Sequence, residues 1–237
     1  MGNDERLQFE SLRRLWANVE LVLRNEIRGV FLEPDVDISS RLKNFETIRE
    51  KLQRSSMRLS QMRDIVGYRI VTPGGRLRQD EISVRLSTQF QDHKIKIFDR
   101  RISPTFGYRA LHHEVEFDGI DVEIQIRTLL QHEWAEAFER LADICGRGIR
   151  YGEPLQIIHL DPSLQDLLRT LFNELVEQSK VIDAYEILEH LQETTLMSHE
   201  YDLANEDPFD FVGERRKVLE RFNVLKAMLT EIRESLG

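Results

Sequence analysis

The chain is poor in cysteine, and this excludes two common ways of stabilising a fold. Its 237 residues include a single cysteine, Cys145. One thiol cannot form an internal disulfide, and no Cys or His stands at ligand spacing from it, so we expect neither a disulfide framework nor a zinc site. We interpret Cys145 as a small residue near the end of a helix.

Long apolar runs are also missing. No stretch approaches the roughly 20 apolar residues that a membrane-spanning helix needs, and the first residues are charged instead of forming an apolar signal region. Hydrophobic residues make up 41% of the chain and charged residues 32%, which is typical of a soluble protein. We therefore expect a cytoplasmic protein with no membrane partner.

Positive charge is not in excess, and the formal net charge of −9 argues against a general nucleic-acid binder. The glycine-rich GxGxxG and Walker patterns for binding phosphate are absent as well. One segment departs from the acidic average, because six basic residues stand there against two acidic ones. The basic residues are Arg41, Lys43, Arg49, Lys51, Arg54 and Arg58. This segment could bind an anionic ligand, or it could be the solvated face of a helix.

Hydrophobic periodicity predicts helices at both ends of the chain and strands in its centre. Helices are predicted over residues 5–28, from residue 45 onward, and over 79–90, 128–144, 164–196 and 214–236. Strands are predicted over residues 64–71 and 93–98 and in two segments between 107 and 128. These elements predict an α+β fold, a mixed sheet of about five strands flanked by helices, with further α-helices at the C-terminus.

A cluster of glycine and proline near residue 150 breaks the periodicity and predicts a domain boundary. Residues 1–150 would form one domain that includes the N-terminal helix, and residues 151–237 a C-terminal helical extension. The apolar faces of the extension could cover the first domain or pair with a second copy in a homo-oligomer.

The clearest local signal is a hairpin around Asp118-Gly119. Asp-Gly between two alternating runs predicts a two-residue turn, because such a turn needs positive φ at both central positions. If Phe117 faces Ile120, the register of the whole hairpin is fixed. One face is then apolar, with Leu111, Val115, Val122, Ile124 and Ile126. The other carries Tyr108, His112, Glu114, Glu116, Asp121, Glu123, Gln125 and Arg127.

This register places like charges opposite each other, Glu114 across from Glu123 and Glu116 across from Asp121. Such pairs destabilise a sheet by a few tenths to about 1 kcal/mol, so a compensating cation is expected. The carboxylates could hold a divalent ion, or they could lie on a solvated face where water screens them.

The basic segment, an aspartate at the start of a buried strand and the polar hairpin face together suit phosphoryl transfer. Such transfers need cations on the donor phosphates, a carboxylate-held Mg²⁺ and a group that orients the attacking hydroxyl. Because Mg²⁺ is usually bound by one or two carboxylates plus substrate phosphates, the pair Asp64 and Glu123 is sufficient. Tyr108 could stack on a base.

Six blocks of the sequence, in order and with similar spacing, resemble the motifs of the RelA/SpoT synthetase-domain family. The blocks are Arg41-Leu42-Lys43, Lys51, Arg63-Asp64-Ile65, Gly107-Tyr108-Arg109-Ala110-Leu111-His112, Glu123-Ile124-Gln125-Ile126-Arg127-Thr128 and His132-Glu133-Trp134-Ala135-Glu136. The resemblance covers roughly residues 15–150, and the length of the chain is similar to that of the small alarmone synthetases.

The resemblance implies a nucleotidyltransferase-like sheet and a GTP diphosphokinase activity, the transfer of pyrophosphate from ATP to the 3′-hydroxyl of GDP or GTP to give (p)ppGpp. Arg41, Lys43 and Lys51 would bind ATP, and Asp64 and Glu123 would bind the Mg²⁺ cofactor. Glu123 would also activate the 3′-hydroxyl. The acceptor nucleotide would be bound by Tyr108, by stacking on its guanine, and by His112, Gln125 and Arg127. Alternatively, His112 is a structural histidine bonded to Gln125.

Two departures from the family pattern bear on the expected activity. Many members carry a lysine and an asparagine before the Gly-Tyr pair, where this chain reads Ser103-Pro104-Thr105-Phe106. A toxic relative that modifies adenine nucleotides or the 3′ end of tRNA is therefore one alternative, and a non-catalytic nucleotide-binding regulator is another. The His-Asp pair typical of the family's hydrolase half does not occur, so no alarmone hydrolysis is expected.

Overall fold

A computed structural model describes residues 3–31, 36–55, 58–198 and 210–236. Its helices are α1 (Asn3–Val30), α2 (Phe45–Ser55), α3 (Arg76–Gln89), α4 (Leu129–Cys145), α5 (Pro162–Ser198) and α6 (Phe211–Ser235), with short 3-10 helices at Leu59–Gln61 and Arg147–Tyr151. Its strands are β1 (Asp37–Leu42), β2 (Val66–Thr72), β3 (Lys94–Asp99), β4 (Leu111–Phe117) and β5 (Ile120–Thr128). Each predicted helix and strand is present, and β1 is an addition.

The chain divides into two compact units. The first takes in the described residues of Met1–Pro73, Gln79–Asp99 and Leu111–Ile126, and the second those of Gly74–Arg78, Arg100–Ala110 and Arg127–Gly237. The five strands form one sheet in the order β1-β2-β5-β4-β3, with antiparallel pairing of β1 to β2, β3 to β4 and β4 to β5. The predicted α+β fold with a mixed five-stranded sheet and C-terminal helices is confirmed. The predicted boundary near residue 150 stays a prediction.

The core of the first unit lies on one face of the sheet. Alternate residues of the strands point into it because side chains of a strand face opposite sides in turn, and α1 and α3 supply the opposing layer. In α1 the buried stripe consists of Trp16, Val19, Leu23 and Ile27, whereas Leu12, Leu15 and Val22 are exposed. The opposite face of the sheet is left to polar side chains.

The hairpin has the predicted register. Phe117 pairs with Ile120 and Glu114 with Glu123, and Asp118 and Gly119 adopt φ values of 50° and 75°. These positive angles are what a two-residue turn between twisted strands requires.

Basic side chains balance the acidic pairs of the hairpin. Arg63 forms an ion pair with Glu114 and lies 3.8 Å from Asp121. Lys94 of β3 lies 3.2 Å from Glu116. Protein side chains therefore supply compensating positive charge at these carboxylates.

The second unit is a helical layer built on α4, against which α5 and α6 pack. Trp134 and Phe138 are buried in its core, together with Leu171 and Leu175 of α5. Cys145 is buried at the last position of α4, which confirms its interpretation as a small residue at a helix end. No helix within the described ranges has the length and apolar character needed to cross a membrane.

Candidate active site

Strand β1 places Arg41 on the polar face of the sheet. The strand was missed because only two of its six residues, Ile38 and Leu42, are apolar, and it lies at the edge of the sheet with one side half-buried and the other exposed. Arg41 is exposed and pairs with Gly67 of β2. A Cβ at Gly67 would lie 3.8 Å from the Arg41 carbonyl oxygen and 3.9 Å from that of Glu123. Position 67 of β2, which lies between β1 and β5, therefore carries no side chain.

Two lysines converge on Asp64, which lies two residues before β2. Lys43 Nζ donates to Asp64 Oδ2 and lies 3.2 Å from the Asp64 carbonyl oxygen. Lys51 Nζ, from α2, lies 2.8 Å from the same Oδ2. The N-terminus of α2 is fixed by its cap, because Asn44 Oδ1 accepts a hydrogen bond from the Thr47 amide at 2.8 Å. Residues far apart in sequence thus form one cluster of two ammonium groups on one carboxylate.

The charge state of Asp64 follows from this cluster. Burial alone would raise the pKa of Asp64, but the charges and hydrogen bonds of Lys43 and Lys51 outweigh it, so the pKa lies below its ordinary value. Its other oxygen, Oδ1, is buried and has no hydrogen-bond partner among the described residues. An ionised carboxylate with one buried, unmatched oxygen is suited to receive a cation.

Glu123 of β5 is held at both oxygens. His112 Nδ1, on β4, donates to Oε1 at 2.9 Å, and Gln125 Nε2 donates to Oε2 at 2.8 Å. Burial raises the pKa of Glu123, yet the hydrogen bond and charge of His112 outweigh it and the net shift is downward. The negative charge of Asp64 acts in the opposite sense and raises the pKa of Glu123.

His112 and its neighbour His113 lie on opposite faces of the sheet. His113 points into the core, where Ser83 Oγ lies 2.8 Å from its Nε2, and burial lowers the pKa of His113 to about 4. The two-residue period of the strand therefore leaves one histidine for the polar face, and that histidine contacts Glu123.

The described residues contain no group of three or more His, Cys, Asp or Glu side chains that could hold a metal ion. Two carboxylates nevertheless fit a hard divalent cation whose other ligands are water and phosphate oxygens. The buried Oδ1 of Asp64 supports this fit. Asp64 and Glu123 are thus the residues that could hold Mg²⁺.

The remaining two candidate residues belong to the second unit and contact each other. Arg127 Nη2 donates to the Tyr108 hydroxyl at 3.1 Å, and its guanidinium carbon lies 5.0 Å from the centre of the Tyr108 ring. Arg127 is buried, so its charge and its planar group orient a partly exposed aromatic ring.

Tyr108 follows a tight turn that sequence reasoning did not find. The Tyr108 amide donates to the Thr105 carbonyl at 3.0 Å, and the two residues between them, Phe106 and Gly107, have φ values of 50° and 90°. Positive φ is costly for an aromatic residue. The Phe106 ring packs on Gly152, where an added Cβ would lie 2.3 Å from its Cζ. Phenylalanine is not a turn former, so only the glycine could have signalled this turn.

The fold is α+β with a mixed sheet, and two lysines pair with one carboxylate, Asp64, just before strand β2. Lysine side chains in such a cluster are suited to binding phosphorylated ligands. Residues 40–142 match the model described as the region found in RelA / SpoT proteins. The matched region, which is less than half of the chain, contains every candidate site residue.

Relatives with sequence similarity come from mycobacteria. Uncharacterised proteins of Mycobacterium tuberculosis and Mycobacterium bovis are each 39% identical to this chain over 142 residues, which is 59% of this chain and 52% of the relative. The chain thus spans about half the length of these relatives.

Solved structures with a similar fold include two small enzymes. The small alarmone synthetase 1 of Bacillus subtilis, bound to its product pppGpp, matches with a TM-score of 0.55 and 22% identity over 79% of this chain and 98% of that one. A GTP pyrophosphokinase family protein from Streptococcus pneumoniae matches with a TM-score of 0.52 and 20% identity over 82% and 97%. At these identities the likeness shows a shared fold.

Proposed function

We propose that this protein is a Mg²⁺-dependent (p)ppGpp synthetase that transfers pyrophosphate from ATP to the 3′-hydroxyl of GDP or GTP. The observation that carries the proposal is a pair of lysines, Lys43 and Lys51, on one carboxylate, Asp64. Asp64 lies just before β2, and Glu123 is on the neighbouring strand β5. The RelA/SpoT region of the chain and the fold it shares with alarmone synthetases support the same reaction.

The cations would serve the ATP side. Lys43 and Lys51 both pair with the Asp64 carboxylate, which would also bind the metal ion. When the ion neutralises Asp64, the two lysines could bind phosphate oxygens instead. Arg41 stands exposed beside the bare backbone of Gly67. Its guanidinium could lie along the nucleotide there.

In the reaction, the 3′-hydroxyl oxygen of the acceptor forms a bond to the β-phosphorus of ATP. The bond between that phosphorus and the oxygen bridging to the α-phosphate breaks, and AMP leaves with the bridging oxygen. Glu123 takes the proton of the hydroxyl. Its lowered pKa keeps it ionised near neutral pH, and His112 and Gln125 fix its orientation.

Mg²⁺, when bound by Asp64 and Glu123, would offset the charge that develops on the transferred group. The buried Oδ1 of Asp64 provides an acceptor for it. On the acceptor side, Tyr108 would stack on the guanine, with Arg127 orienting the ring. Substrates of this kind would place the protein in the cytoplasm.

The test is a product assay with labelled ATP, Mg²⁺ and a panel of acceptors: GDP, GTP, ADP and tRNA. Transfer into GDP or GTP with release of AMP, lost when EDTA removes the metal, is the expected result. Transfer into ADP or tRNA alone would instead identify a relative with another acceptor, which the Phe106 turn motivates. Nucleotide binding without any turnover would overturn the proposal and indicate a regulator.

A further inference from the structure

The turn that carries Tyr108 is tied to helix α5 through one buried serine. Ser179 is 2% exposed, and its hydroxyl is used in both directions. The Ser179 Oγ donates to the Gly107 carbonyl and accepts from Arg109 Nε at 3.2 Å. The residues before and after Tyr108 are thus both fixed by the same side chain.

Asp183, one helical turn further along α5, continues this attachment. Its Oδ1 lies 3.2 Å from Arg109 Nη1 and also pairs with Arg76. Arg109 is 8% exposed, and the same Nη1 donates to the Arg101 carbonyl. Positions four apart on a helix share one face, so Ser179 and Asp183 together present a polar face to the segment around Tyr108.

The backbone of the turn also lies directly on the helices. A Cβ at Gly107 would lie 2.7 Å from Trp134 Cζ2 and 3.1 Å from Ser179 Cβ. Trp134 is itself fixed, since its Nε1 donates to the Leu175 carbonyl of α5 at 2.6 Å. With Phe106 and Gly107 both at positive φ, the turn persists only because its surroundings hold it there.

We propose that Ser179 and Asp183 are positioning residues that set the affinity for the acceptor nucleotide by fixing the turn that carries Tyr108. This inference rests on the proposed function, because it takes Tyr108 to stack on the acceptor base. An aromatic ring recognises a base only in a defined orientation, and orientation that is established before binding costs no free energy during it. The network uses a buried serine and a half-buried aspartate to hold a single turn, which core packing alone does not require.

The experiment compares Ser179→Ala and Asp183→Asn with Lys180→Ala, a matched control on the same helix. Lys180 is exposed and pairs only locally with Glu177 at 2.7 Å. Three quantities are measured: the KM for GDP and for ATP, the affinity for GDP by calorimetry, and amide hydrogen exchange over residues 100–110.

Ser179→Ala is expected to raise the KM and Kd for GDP about fivefold, because both hydrogen bonds of the hydroxyl to the turn segment are lost, with the KM for ATP unchanged. Asp183→Asn is expected to raise them about tenfold, because its bond to Arg109 is charge-assisted. Exchange over residues 100–110 should become faster in both, and Lys180→Ala should match the wild type. In a Tyr108→Ala background, Ser179→Ala should have little further effect on GDP, since both act through one ring.

Three results would overturn the proposal. The first is unchanged exchange at the turn in both variants. The second is faster exchange with an unchanged affinity for GDP, which is what a purely structural role gives. The third is a wild type that binds no GDP at all. If the wild type binds GDP but transfers no pyrophosphate, the proposed reaction fails, and the role of Ser179 and Asp183 is still decided by calorimetry.

Discussion

His112 Nδ1 lies 2.9 Å from Glu123 Oε1, across the β4–β5 hairpin. This bond joins the two residues that the family resemblance assigned to different tasks, His112 to the acceptor and Glu123 to the metal and the hydroxyl. In the structure His112 and Gln125 both donate hydrogen bonds to Glu123. In the proposed reaction Glu123 is the general base, so these two hydrogen bonds would fix the orientation of its carboxylate and influence its pKa.

Removing the imidazole should therefore act through Glu123. We expect His112→Leu to lower kcat about tenfold or more, because a hydrogen bond to a charged group is lost. Without that bond the pKa of Glu123 rises, so the acidic limb of the pH–rate profile should move to higher pH. His112→Asn, whose amide can donate from a position near that of Nδ1, should recover much of the rate. Equal rates for the two variants would show that the bond is unimportant.

The lysines around Asp64 should be specific for the ATP side. Lys43→Gln and Lys51→Gln are each expected to raise the KM for ATP about tenfold, with little change in the KM for GDP, because charge-assisted bonds to phosphate are lost. Arg49→Gln is the matched control, since Arg49 lies on the exposed part of α2 and pairs at 2.7 Å with Glu46. A comparable effect of all three variants would mean that only the general positive charge of the segment matters.

The Phe106 turn should be sensitive to Gly152. Gly152 has a φ of 86°, and a Cβ there would meet the Phe106 ring. Gly119→Ala is the control, because Gly119 has a φ of 75° with nothing within 4 Å of the added Cβ. Gly152→Ala should lower the free energy of unfolding by about 1–2 kcal/mol more than Gly119→Ala, as overpacking adds to backbone strain.

A double variant isolates the cause of that difference. If the clash with the ring is responsible, Phe106→Ala should remove most of the excess when combined with Gly152→Ala in urea unfolding. An unchanged excess would place the strain elsewhere in the segment.

Glu186 of α5 should make stability depend on pH. It is 1% exposed, and burial raises its pKa above the ordinary 4.5 despite bonds from Thr128 and Gln131. The folded state then holds the proton more tightly than the unfolded state, so its stability falls as pH rises from the ordinary value through the folded pKa. Glu186→Gln removes this titration.

The free energy of unfolding of Glu186→Gln, relative to the wild type, should therefore increase as the pH is raised above the ordinary carboxyl pKa of 4.5 in urea titrations. A difference that does not vary with pH, or that decreases, would contradict the raised pKa.

The sequence predicted those parts of the fold that short-range rules determine. The hairpin register followed from Asp118-Gly119, because the turn chemistry and the two-residue period leave one pairing. Strand β1 was missed since it is stabilised by backbone pairing with β2 and carries few apolar residues. The turn at Phe106 was missed because packing on Gly152, not local propensity, holds it.

The candidate site could be predicted as a set of residues but not as a geometry. Ordered motifs pointed to Asp64 and Glu123, whereas the ion pairs of Asp64 with Lys43 and Lys51 depend on how the chain folds back. Ser179 and Asp183 gave no signal, because a serine and an aspartate on a long helix normally face solvent. Their role depends on contacts more than 70 residues apart in sequence, such as Ser179 with Gly107.

The most direct measurement compares the wild type with Glu123→Gln and Glu116→Gln in the presence of ATP, Mg²⁺ and GDP. Glu116 lies on the same polar face but is exposed and pairs with Lys94. From the wild type we expect AMP and a 3′-pyrophosphorylated guanosine nucleotide in equal amounts. We expect a loss of about 100-fold or more in Glu123→Gln and a change within about twofold in Glu116→Gln. No such product from the wild type, or an equal rate from Glu123→Gln, would contradict the proposed reaction.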